Sequence, residues 1–298
     1  MRRKSALVAL LIPAVLAAQT AGKPDAVTRR TGTFQDRRLV ESSGVVASHR
    51  HPGLLWTMND SGGDAALFLV DTAGATVGVY AVPNAVNIDW EALGRGPCGR
   101  RECIYIGDTG DNGRDRRSVT LYRIPEPDLP GATGKSRSLA TAKAEAVEVR
   151  YPDRPHDVEA MYVEPDETVA LVTKGRTGGA LLFRVPASAW RGRRPVLALR
   201  SDSLPIPTSF MTGRAVTDAA LAPDGRRVAV RTYRDIWFFL RDDTGRLTPD
   251  SAHPVCDIAG VEPQGEGIDW WDGETLVLTS ERGLFPAGTI TLVRCPAR

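Results

Sequence analysis

The sequence predicts an all-β protein, and specifically a five-bladed β-propeller. Helical periodicity is nearly absent beyond residue 21, and short runs rich in β-branched and aromatic residues alternate with Gly, Pro, Asp and Asn turns. One unit also occurs five times: a carboxylate, small and apolar residues, a turn, a second apolar strand, and polar residues at its end. Repeats of this length are typical of four-stranded propeller blades.

The first residues are typical of a cleaved export signal. A basic start at Met1–Lys4 precedes an apolar run from Ala6 to Ala18 and small residues as far as Ala21. This run is too short to span a bilayer, and no later apolar run is long enough for a membrane helix. We therefore expect residues 1–21 to be a signal peptide and residues 22–298 to form a single propeller domain that is secreted or periplasmic.

The charge of the chain gives no reason to expect a nucleic acid partner. Removing residues 1–21 takes away three basic residues and no acidic ones, which leaves 35 basic and 36 acidic residues. The slight basicity of the full chain therefore belongs to the predicted signal peptide, and the clustered positive charge that suits a polyanion is missing. We expect a monomer with a small anionic substrate.

The five units follow one another with similar spacing. Their opening acids lie 50, 68, 59 and 48 residues apart. The units comprise residues 41–60, 89–108, 157–174, 217–232 and 265–281. Apolar third strands follow at residues 65–71, 119–127, 180–186, 236–242 and 289–295. Pro, Asp and Gly form the turn between the first two strands of the last three units, as turn chemistry requires.

The ring needs a fourth strand for the fifth unit, which has no room for one before Arg298. Residues 31–40, before the first unit, could supply it, and this closure would leave only short, protected strand edges. A six-bladed ring is the main alternative, because residues 130–149 within the 68-residue spacing could hold degenerate strands. Two β-sandwiches would not explain the common phase of the five openings.

The four cysteines of an exported protein predict two disulfides. Cys98 and Cys103 flank a tight turn and are expected to bridge it. Cys256 would then pair with Cys295 and tie the C-terminus to the body of the domain. Free buried thiols are the alternative.

The opening acids are the principal candidate site. Residues in equivalent phase on the first strands of a propeller surround its central channel, and crowded carboxylates are costly unless they protonate or a cation neutralises them. A hard divalent ion with oxygen ligands is expected, and Ca²⁺ accepts irregular carboxylate cages best. The predicted metal ligands are Glu41, Glu91, Glu159, Asp218 and Glu266.

The ends of the second strands contribute acidic and basic residues at a similar height along the channel. This mixture suits an anionic ligand held between a metal and two bases. His156 precedes Asp157 and Glu159 at the expected channel entrance, where it could act as a general acid or base. The predicted catalytic residues are His156, Lys174, Arg231 and Glu281. Further predicted site residues are Asn59, Asp60 and Asp108.

Several motifs resemble those of exported bacterial propellers described as phytase-like or WD40-like. They are "ESSG", "DWEALG", "DVEAM", "VTDAALAPDG" and "GEGID", and they cover most of residues 40–285. The chain is more loosely similar to calcium-dependent apyrases, five-bladed propellers with Ca²⁺ on the axis, whose last blade carries an E-G-I like the one that begins at Glu266. By that resemblance Glu41, Glu91, Glu159 and Glu266 are metal-site residues, and Asp218 is a further candidate.

These observations favour an exported calcium-binding propeller that hydrolyses a small anionic ester, with a phosphoester as the favoured substrate. A non-catalytic propeller is one alternative, in which calcium only stabilises the channel and an outer face binds a protein or a glycan. A lactonase-type esterase is another. The sequence contains no motif of a serine hydrolase, a zincin or a nucleotide-binding fold.

Overall fold

The computed structural model describes residues 26–129, 139–176, 179–192, 194–253 and 255–297. Apart from two short 3₁₀ helices, Ala187–Arg191 and Phe210–Thr212, its regular structure is β-strand. The first eight strands are β1 (Val27–Thr33), β2 (Ser42–Ala47), β3 (Leu54–Asn59), β4 (Ala66–Asp71), β5 (Thr76–Ala81), β6 (Trp90–Cys98), β7 (Arg101–Asp108) and β8 (Val119–Pro125). The next seven are β9 (Leu139–Ala140), β10 (Glu145–Arg150), β11 (Val158–Val163), β12 (Val169–Thr173), β13 (Ala180–Val185), β14 (Val196–Leu197) and β15 (Leu199–Leu204). The last eight are β16 (Val216–Leu221), β17 (Arg227–Thr232), β18 (Asp235–Arg241), β19 (Leu247–Pro249), β20 (Val255–Asp257), β21 (Gln264–Trp270), β22 (Thr275–Glu281) and β23 (Thr289–Arg294).

These strands form five sheets, named here blades 1 to 5 in the order of their innermost strands. Blade 1 has the order β2-β3-β4-β5, and blade 2 the order β6-β7-β8-β10; the short strands β9 and β14 add to their outer edges in parallel. Blade 3 has the order β11-β12-β13-β15. In blade 4, β16-β17-β18 is followed by β19 and β20, which both pair with β18. Blade 5 has the order β21-β22-β23-β1.

The innermost strands close a ring. Strand β2 contacts β6, β6 contacts β11, β11 contacts β16, β16 contacts β21, and β21 contacts β2 again. The five-bladed prediction is therefore confirmed and the six-bladed alternative is wrong. The long spacing between the second and third units is occupied in part by β9, on the edge of blade 1, and by β10, the fourth strand of blade 2. Residues 130–138 lie outside the described residues.

The apolar core lies between neighbouring blades. In the described part of the chain, five buried clusters each combine residues of two adjacent blades. Between blades 1 and 2, for example, Trp56 and Met58 share a cluster with Leu93 and Ile106. A blade buries both faces, so its strands are apolar almost throughout, and this explains why the sequence shows continuous apolar runs.

The chain termini join in blade 5, as the prediction of an N-terminal closing strand requires. Strand β1 is antiparallel to β23, with Val27 opposite Arg294 and Thr33 opposite Thr289. The closing strand begins before the predicted residues 31–40 and overlaps them only as far as Thr33. The Phe34 amide still donates to the Gly288 carbonyl, and the chain leaves the sheet after this residue.

Both predicted disulfides are present. Cys98 pairs with Cys103 and Cys256 with Cys295, with Cα–Cα distances of 5.8 and 5.7 Å, and no cysteine of the chain is left free. None of the helices in the described residues has the length and apolar character needed to cross a membrane. The predicted signal peptide, residues 1–21, lies outside the described residues.

Candidate functional site

Each innermost strand is interrupted near its start by a β-bulge. The pairing with the second strand skips one residue in blades 1 to 4, and two residues, Glu266 and Gly267, in blade 5. A bulged residue drops out of the ladder, and its side chain is aimed differently from those of its paired neighbours. The bulge residues of the five blades are Ser43, Glu91, Glu159, Thr217 and Glu266.

This register corrects the predicted phase in two blades. In blade 1 the bulge position holds Ser43 and not Glu41, which is exposed and precedes β2. In blade 4 it holds Thr217 and not Asp218. Since neighbouring side chains of a strand face opposite sides, an offset of one residue moves an acid from one environment to another.

Asp218 accordingly belongs to the packing between blades 4 and 5. Its side chain is fully buried, and its two oxygens accept hydrogen bonds of 2.8 Å each from the amides of Ala219 and Ile268. Burial raises the pKa of Asp218 well above its usual range, against the effect of these two backbone donors. The residue therefore joins the first strands of two blades through backbone contacts.

The three glutamates at bulge positions form a buried carboxylate group. Glu91, Glu159 and Glu266 are only 5%, 2% and 4% exposed. Burial is the largest cause that raises the pKa of each, and the charge of Glu159 raises the pKa of Glu91 further, as the charge of Glu266 does for Glu159. Ser43 Oγ donates to Glu91 Oε2 at 2.9 Å, so the blade 1 residue supports this group with a hydroxyl.

Lys174, at the end of the second strand of blade 3, partly compensates these charges. Its Nζ donates to Glu159 Oε1 at 2.6 Å, and only 7% of the residue is exposed. Burial lowers the pKa of Lys174, but Glu159, Glu91 and Asp157 together raise it above its ordinary value. Lys174 therefore stays charged, and its field also lowers the pKa values of Glu91, Glu159 and Glu266.

A second group of carboxylates lies beside Glu91, nearer to solvent. One carboxylate oxygen from each of Asp60, Asp89 and Glu91 lies within 4.8 Å of the others. Burial, followed by the charge of Asp89, raises the pKa of Asp60 to about 7, and burial also raises the pKa of Asp89. In the described part of the chain, Asp60 Oδ1 is buried and has no hydrogen-bond partner. We name these three residues the carboxylate triad.

Blade 5 contributes a second acid, Glu281, to the same region. Burial, followed by the charge of Glu266, raises the pKa of Glu281 to about 8. Gln264 Nε2 donates to Glu281 Oε2 at 2.8 Å and to Glu266 Oε1 at 3.4 Å. Tyr233 is hydrogen-bonded to Glu266, and its own pKa is raised, first by burial and then by the charges of Glu266 and Glu159.

Sequence reasoning missed Asp89, Tyr233 and Gln264 as members of this region. Asp89 opens the "DWEALG" motif two residues before Glu91, so the spacing alone could have suggested it. Tyr233 and Gln264 flank the ends of strands β17 and β21, and no residue pattern distinguishes them there.

Asn59 and Asp108 support the loops around the carboxylate triad. Asn59 Oδ1 accepts from the amides of Val40 and Glu41 at 3.0 and 3.1 Å. Asp108 is fully buried, pairs with Arg116 at 2.8 Å, and accepts from the Asp89 amide at 3.2 Å. Their side chains are thus already used for local structure, which differs from the open ligand role that the sequence suggested.

His156 does not lie with the carboxylates as its position in the sequence suggested. Its ring packs against Tyr151 and Phe183, with centroid distances of 5.2 and 4.9 Å. Its Nε2 lies 2.9 Å from Asp153 Oδ1. The sequence predicts His156 at the channel because it precedes β11, but its contacts hold it against Tyr151 and against Phe183 of β13, the third strand of blade 3.

Arg231 is a buried structural cation. Its Nη1 donates to the carbonyls of Gly267 and Thr279 at 2.6 and 3.0 Å, and its Nη2 pairs with Glu262, which is also buried. With only 1% of its surface exposed, Arg231 has no open side toward a ligand. The placement corrects the expectation of a free base beside the metal.

The electrostatic character of the assembled region follows from these contacts. Lys174 is the one basic side chain that contacts the buried glutamates among the described residues, whereas the acids outnumber it severalfold. The acids are Glu41, Asp60, Asp89, Glu91, Glu159, Glu266 and Glu281. Such an excess of carboxylates is stabilised by protonation or by a bound cation.

Comparisons with known proteins support the fold. No protein-family model and no curated protein matches the sequence. Solved structures do match: a PQQ-bound aldose sugar dehydrogenase from Streptomyces coelicolor has 12% identity and a TM-score of 0.50, over 90% of this chain and 98% of that one. A glucose dehydrogenase has 10% identity and a TM-score of 0.45, over 89% and 99% of the two chains. Virginiamycin B lyase from Staphylococcus aureus has 13% identity and a TM-score of 0.41, over 88% of this chain and 69% of that one.

The aldose sugar dehydrogenase likeness supports a propeller fold for this chain and, at this low identity, nothing beyond the fold. The resemblance to phytase-like propellers and to calcium-dependent apyrases stays a hypothesis.

Proposed function

We propose that the protein binds Ca²⁺ at the carboxylate triad and hydrolyses a small anionic ester, with a phosphoester as the favoured substrate. The observation that carries the proposal is the convergence of Asp60, Asp89 and Glu91 within 4.8 Å of one another. Carboxylates with raised pKa values at such distances repel one another, and a divalent cation removes this cost.

The distances in the triad suit calcium. Two oxygens bound to one Ca²⁺ at about 2.3–2.6 Å can be no more than about 5 Å apart. The three carboxylate oxygens meet that limit, and Asp60 Oδ1 has no hydrogen-bond partner among the described residues to compete with a ligand role. Mg²⁺ requires a near-ideal octahedral shell at about 2.0–2.1 Å and usually takes only one or two carboxylates, so a site of three carboxylates favours the larger ion.

Bound calcium would supply electrostatic stabilisation of negative charge on the ester and its attacking water. The chain itself offers two further groups. Glu281, with a pKa of about 8, is protonated at neutral pH and can donate a proton to a leaving oxygen. Lys174 is held at 2.6 Å from Glu159 and contributes positive charge beside the glutamates, where developing negative charge would be stabilised.

We also propose that the protein acts outside the cytoplasm, with residues 1–21 as a cleaved signal peptide and residues 22–298 as the mature propeller domain. The two disulfides support this, because disulfides persist in oxidising compartments.

Calcium binding can be tested with the protein and one double variant. We expect Ca²⁺ to raise the melting temperature of the wild-type protein and isothermal titration to give one saturable site. Asp60→Asn/Asp89→Asn should weaken binding at least tenfold, because it removes two of three charged ligands. Glu274→Gln, at a carboxylate that is 79% exposed in a turn of blade 5, is the matched control and should bind as the wild type does. Equal binding by the double variant would refute the triad as the site.

Activity assays distinguish the proposed enzyme from its alternatives. We expect calcium-dependent release of phosphate from phosphomonoesters, or of the alcohol from phosphodiesters, with kcat reduced in Glu281→Gln and in the triad double variant. Turnover of lactones without release of phosphate would instead identify an esterase. Calcium binding without turnover of either class would contradict the catalytic proposal and favour the propeller that binds a protein or glycan.

A further inference from the structure

Six large apolar side chains are exposed around the mouth of the carboxylate site. They occur as pairs in three loops: residues 82–89 before β6, residues 205–215 before β16 and residues 282–288 after β22, called here the blade 2, blade 4 and blade 5 loops. The pairs are Val86 and Ile88, Phe210 and Met211, and Leu284 and Phe285. The other exposed large apolar side chains of the described residues lie on outer strands or near the opposite end of the ring. Half of all these side chains are therefore concentrated on one face.

All three loops leave the ring at the end where the glutamates lie. The blade 2 loop contains Asp89 of the carboxylate triad, and the blade 5 loop follows Glu281. The blade 4 loop leads into β16, whose Thr217 Oγ1 donates to the carbonyl of Glu266 at 3.0 Å. Because the loops belong to three different blades, they lie at separate points around the axis. Three such points define a plane across this face of the ring.

Hydrogen bonds fix these loops to the body of the protein. Asn87, between the two apolar residues of the blade 2 loop, donates from its Nδ2 to the carbonyl of Asp60 at 2.5 Å. In the blade 4 loop, the Arg214 amide donates to the Ser209 carbonyl at 2.8 Å and closes a turn around the apolar pair. The exposed apolar pairs therefore belong to ordered, hydrogen-bonded turns.

Exposed arginines accompany the apolar pairs. Arg282 lies two residues before Leu284, and its amide donates to the Val40 carbonyl at 3.2 Å, which joins the blade 5 loop to the loop of residues 34–41. That loop contributes the exposed Arg37. Neither arginine forms an ion pair with an acid of the described residues. One apolar pair therefore has two uncompensated positive charges close to it.

The exposed charges of this face are mainly basic. The described parts of the loops that precede the first strands, and of those that join the second strands to the third, contain seven exposed arginines and four exposed acids. The exposed acids are Glu41, Asp64, Asp115 and Asp153. The carboxylate triad lies deeper, since Asp60 and Asp89 are half-buried and Glu91 is buried. A flat anionic surface laid on this face would therefore meet the arginines before the triad.

We propose that this face docks on a membrane surface that contains anionic phospholipid, with the three apolar pairs inserted among the headgroups. Interfacial binding increases with the apolar area inserted and with the attraction of basic side chains to anionic lipid, and this face supplies both. Met211 is 93% exposed and Leu284 is fully exposed, so both side chains are free to enter a bilayer. Pairs on three different blades around an acidic mouth favour several shallow insertions over the single apolar patch that a protein interface buries. A docked protein would present the carboxylate triad to the bilayer surface.

Vesicle co-sedimentation tests the docking. With EDTA present, so that calcium cannot bridge protein and lipid, the mature protein, residues 22–298, should sediment with vesicles of equal parts phosphatidylcholine and phosphatidylglycerol. Leu284→Asn/Phe285→Asn should raise the Kd for these vesicles at least about tenfold, because it removes one of the three apolar pairs. The control Leu197→Asn/Leu199→Asn removes two exposed leucines from β14 and β15 and should bind as the wild type does. Melting temperatures show whether each variant keeps its fold.

The contribution of the arginines can be measured separately. Arg37→Gln/Arg282→Gln should weaken binding to the same vesicles about tenfold or more, and added NaCl should weaken wild-type binding, because both reduce the attraction to anionic lipid. The control Arg226→Gln/Arg246→Gln alters two exposed arginines in the turns before β17 and β19, at the opposite end of the ring, and should bind as the wild type does. Equal wild-type binding to vesicles of phosphatidylcholine alone would refute the role of the arginines.

Two further results would overturn the proposal. If the wild-type protein does not sediment with the anionic vesicles, this face does not dock on lipid, and the apolar loops would instead be assigned to a protein partner. If the blade 5 loop variant is folded and binds the vesicles as tightly as its control, lipid contacts another surface. Because the assay contains neither calcium nor a soluble ester, both results are independent of the proposed hydrolysis.

Discussion

At the scale of the residue, the surroundings of a buried acid depend on whether it occupies a bulge position or the position after it. Thr217 occupies the bulge of blade 4, and the next residue, Asp218, has its oxygens filled by two backbone amides. Glu91 and Glu159 occupy the bulges of their own blades, where they face other carboxylates and Lys174. A buried carboxylate thus accepts backbone hydrogen bonds in one place and belongs to a group of interacting charges in the other.

The raised pKa of Glu281 predicts how stability depends on pH. In the unfolded chain this carboxyl has a pKa near 4.5, and in the folded protein a pKa of about 8, so the folded state binds more protons between these values. The free energy of unfolding should therefore fall as pH rises from 4.5 to 8 when EDTA is present. In Glu281→Gln the free energy of unfolding should fall less steeply with pH, by a slope that corresponds to at most one bound proton. Urea denaturation at several pH values measures this slope. Glu274→Gln should keep the wild-type slope, and an unchanged slope in Glu281→Gln would show that Glu281 does not titrate in this range.

At the scale of the element, the innermost strands approach so closely that side-chain size is restricted. A Cβ atom added to Gly44 in β2 would lie 2.8 Å from the backbone nitrogen of Leu93 in β6. Neither atom can move away without displacing a strand of the ring. The contact between blades 1 and 2 therefore requires glycine at this position, for reasons of space and not of backbone conformation.

Replacement of this glycine should destabilise the ring. Gly44→Ala is expected to lower the free energy of unfolding by about 1–3 kcal/mol, the usual cost of forcing extra volume into a packed interior. Gly63→Ala is the matched control, because a Cβ there meets no atom within 4 Å, and it should change stability little. Urea denaturation of both variants measures the difference. Equal stabilities of the two variants would show that β2 and β6 can move apart enough to accept the added Cβ atom without cost.

At the scale of the whole molecule, two devices hold the ends of the chain. Strand β1 pairs with β23, and the Cys256–Cys295 disulfide joins β20, on the edge of blade 4, to the residue that follows β23. Blade 5 is thus fixed to its neighbour at its outer end as well as by the packing of β16 against β21. The stability of the ring should depend on both devices.

The two disulfides should differ in their contribution to stability. Loss of the Cys256–Cys295 bond, with a sequence separation of 39, is expected to cost about 4 kcal/mol, and loss of the Cys98–Cys103 bond, with a separation of 5, about 2 kcal/mol. The reason is that a longer closed loop restricts the unfolded chain more. Paired Cys→Ser variants compared by urea denaturation measure these values. The reverse order would indicate that native contacts, and not chain entropy, determine the effect.

Much of the fold was predictable from the sequence because a propeller repeats its strand pattern. The units, the closing strand and both disulfides follow from residue spacing. The bulge register was not predictable, since it depends on pairing between strands, and an acid such as Glu41 is more conspicuous than Ser43. Partners from a neighbouring blade, such as Glu262 before β21 for Arg231 of blade 4, likewise depend on the assembled ring.

The pairing of β1 with β23 also constrains when the native state can form. Strand β1 ends at Thr33 and β23 begins at Thr289, so at a synthesis rate of about 5–20 residues per second the first strand waits roughly 13–50 s for its partner. During that time β1 lacks its native partner and can pair with other chains. Arg29 and Arg30 in the middle of β1 are exposed, and their charge discourages such pairing until the last strand emerges.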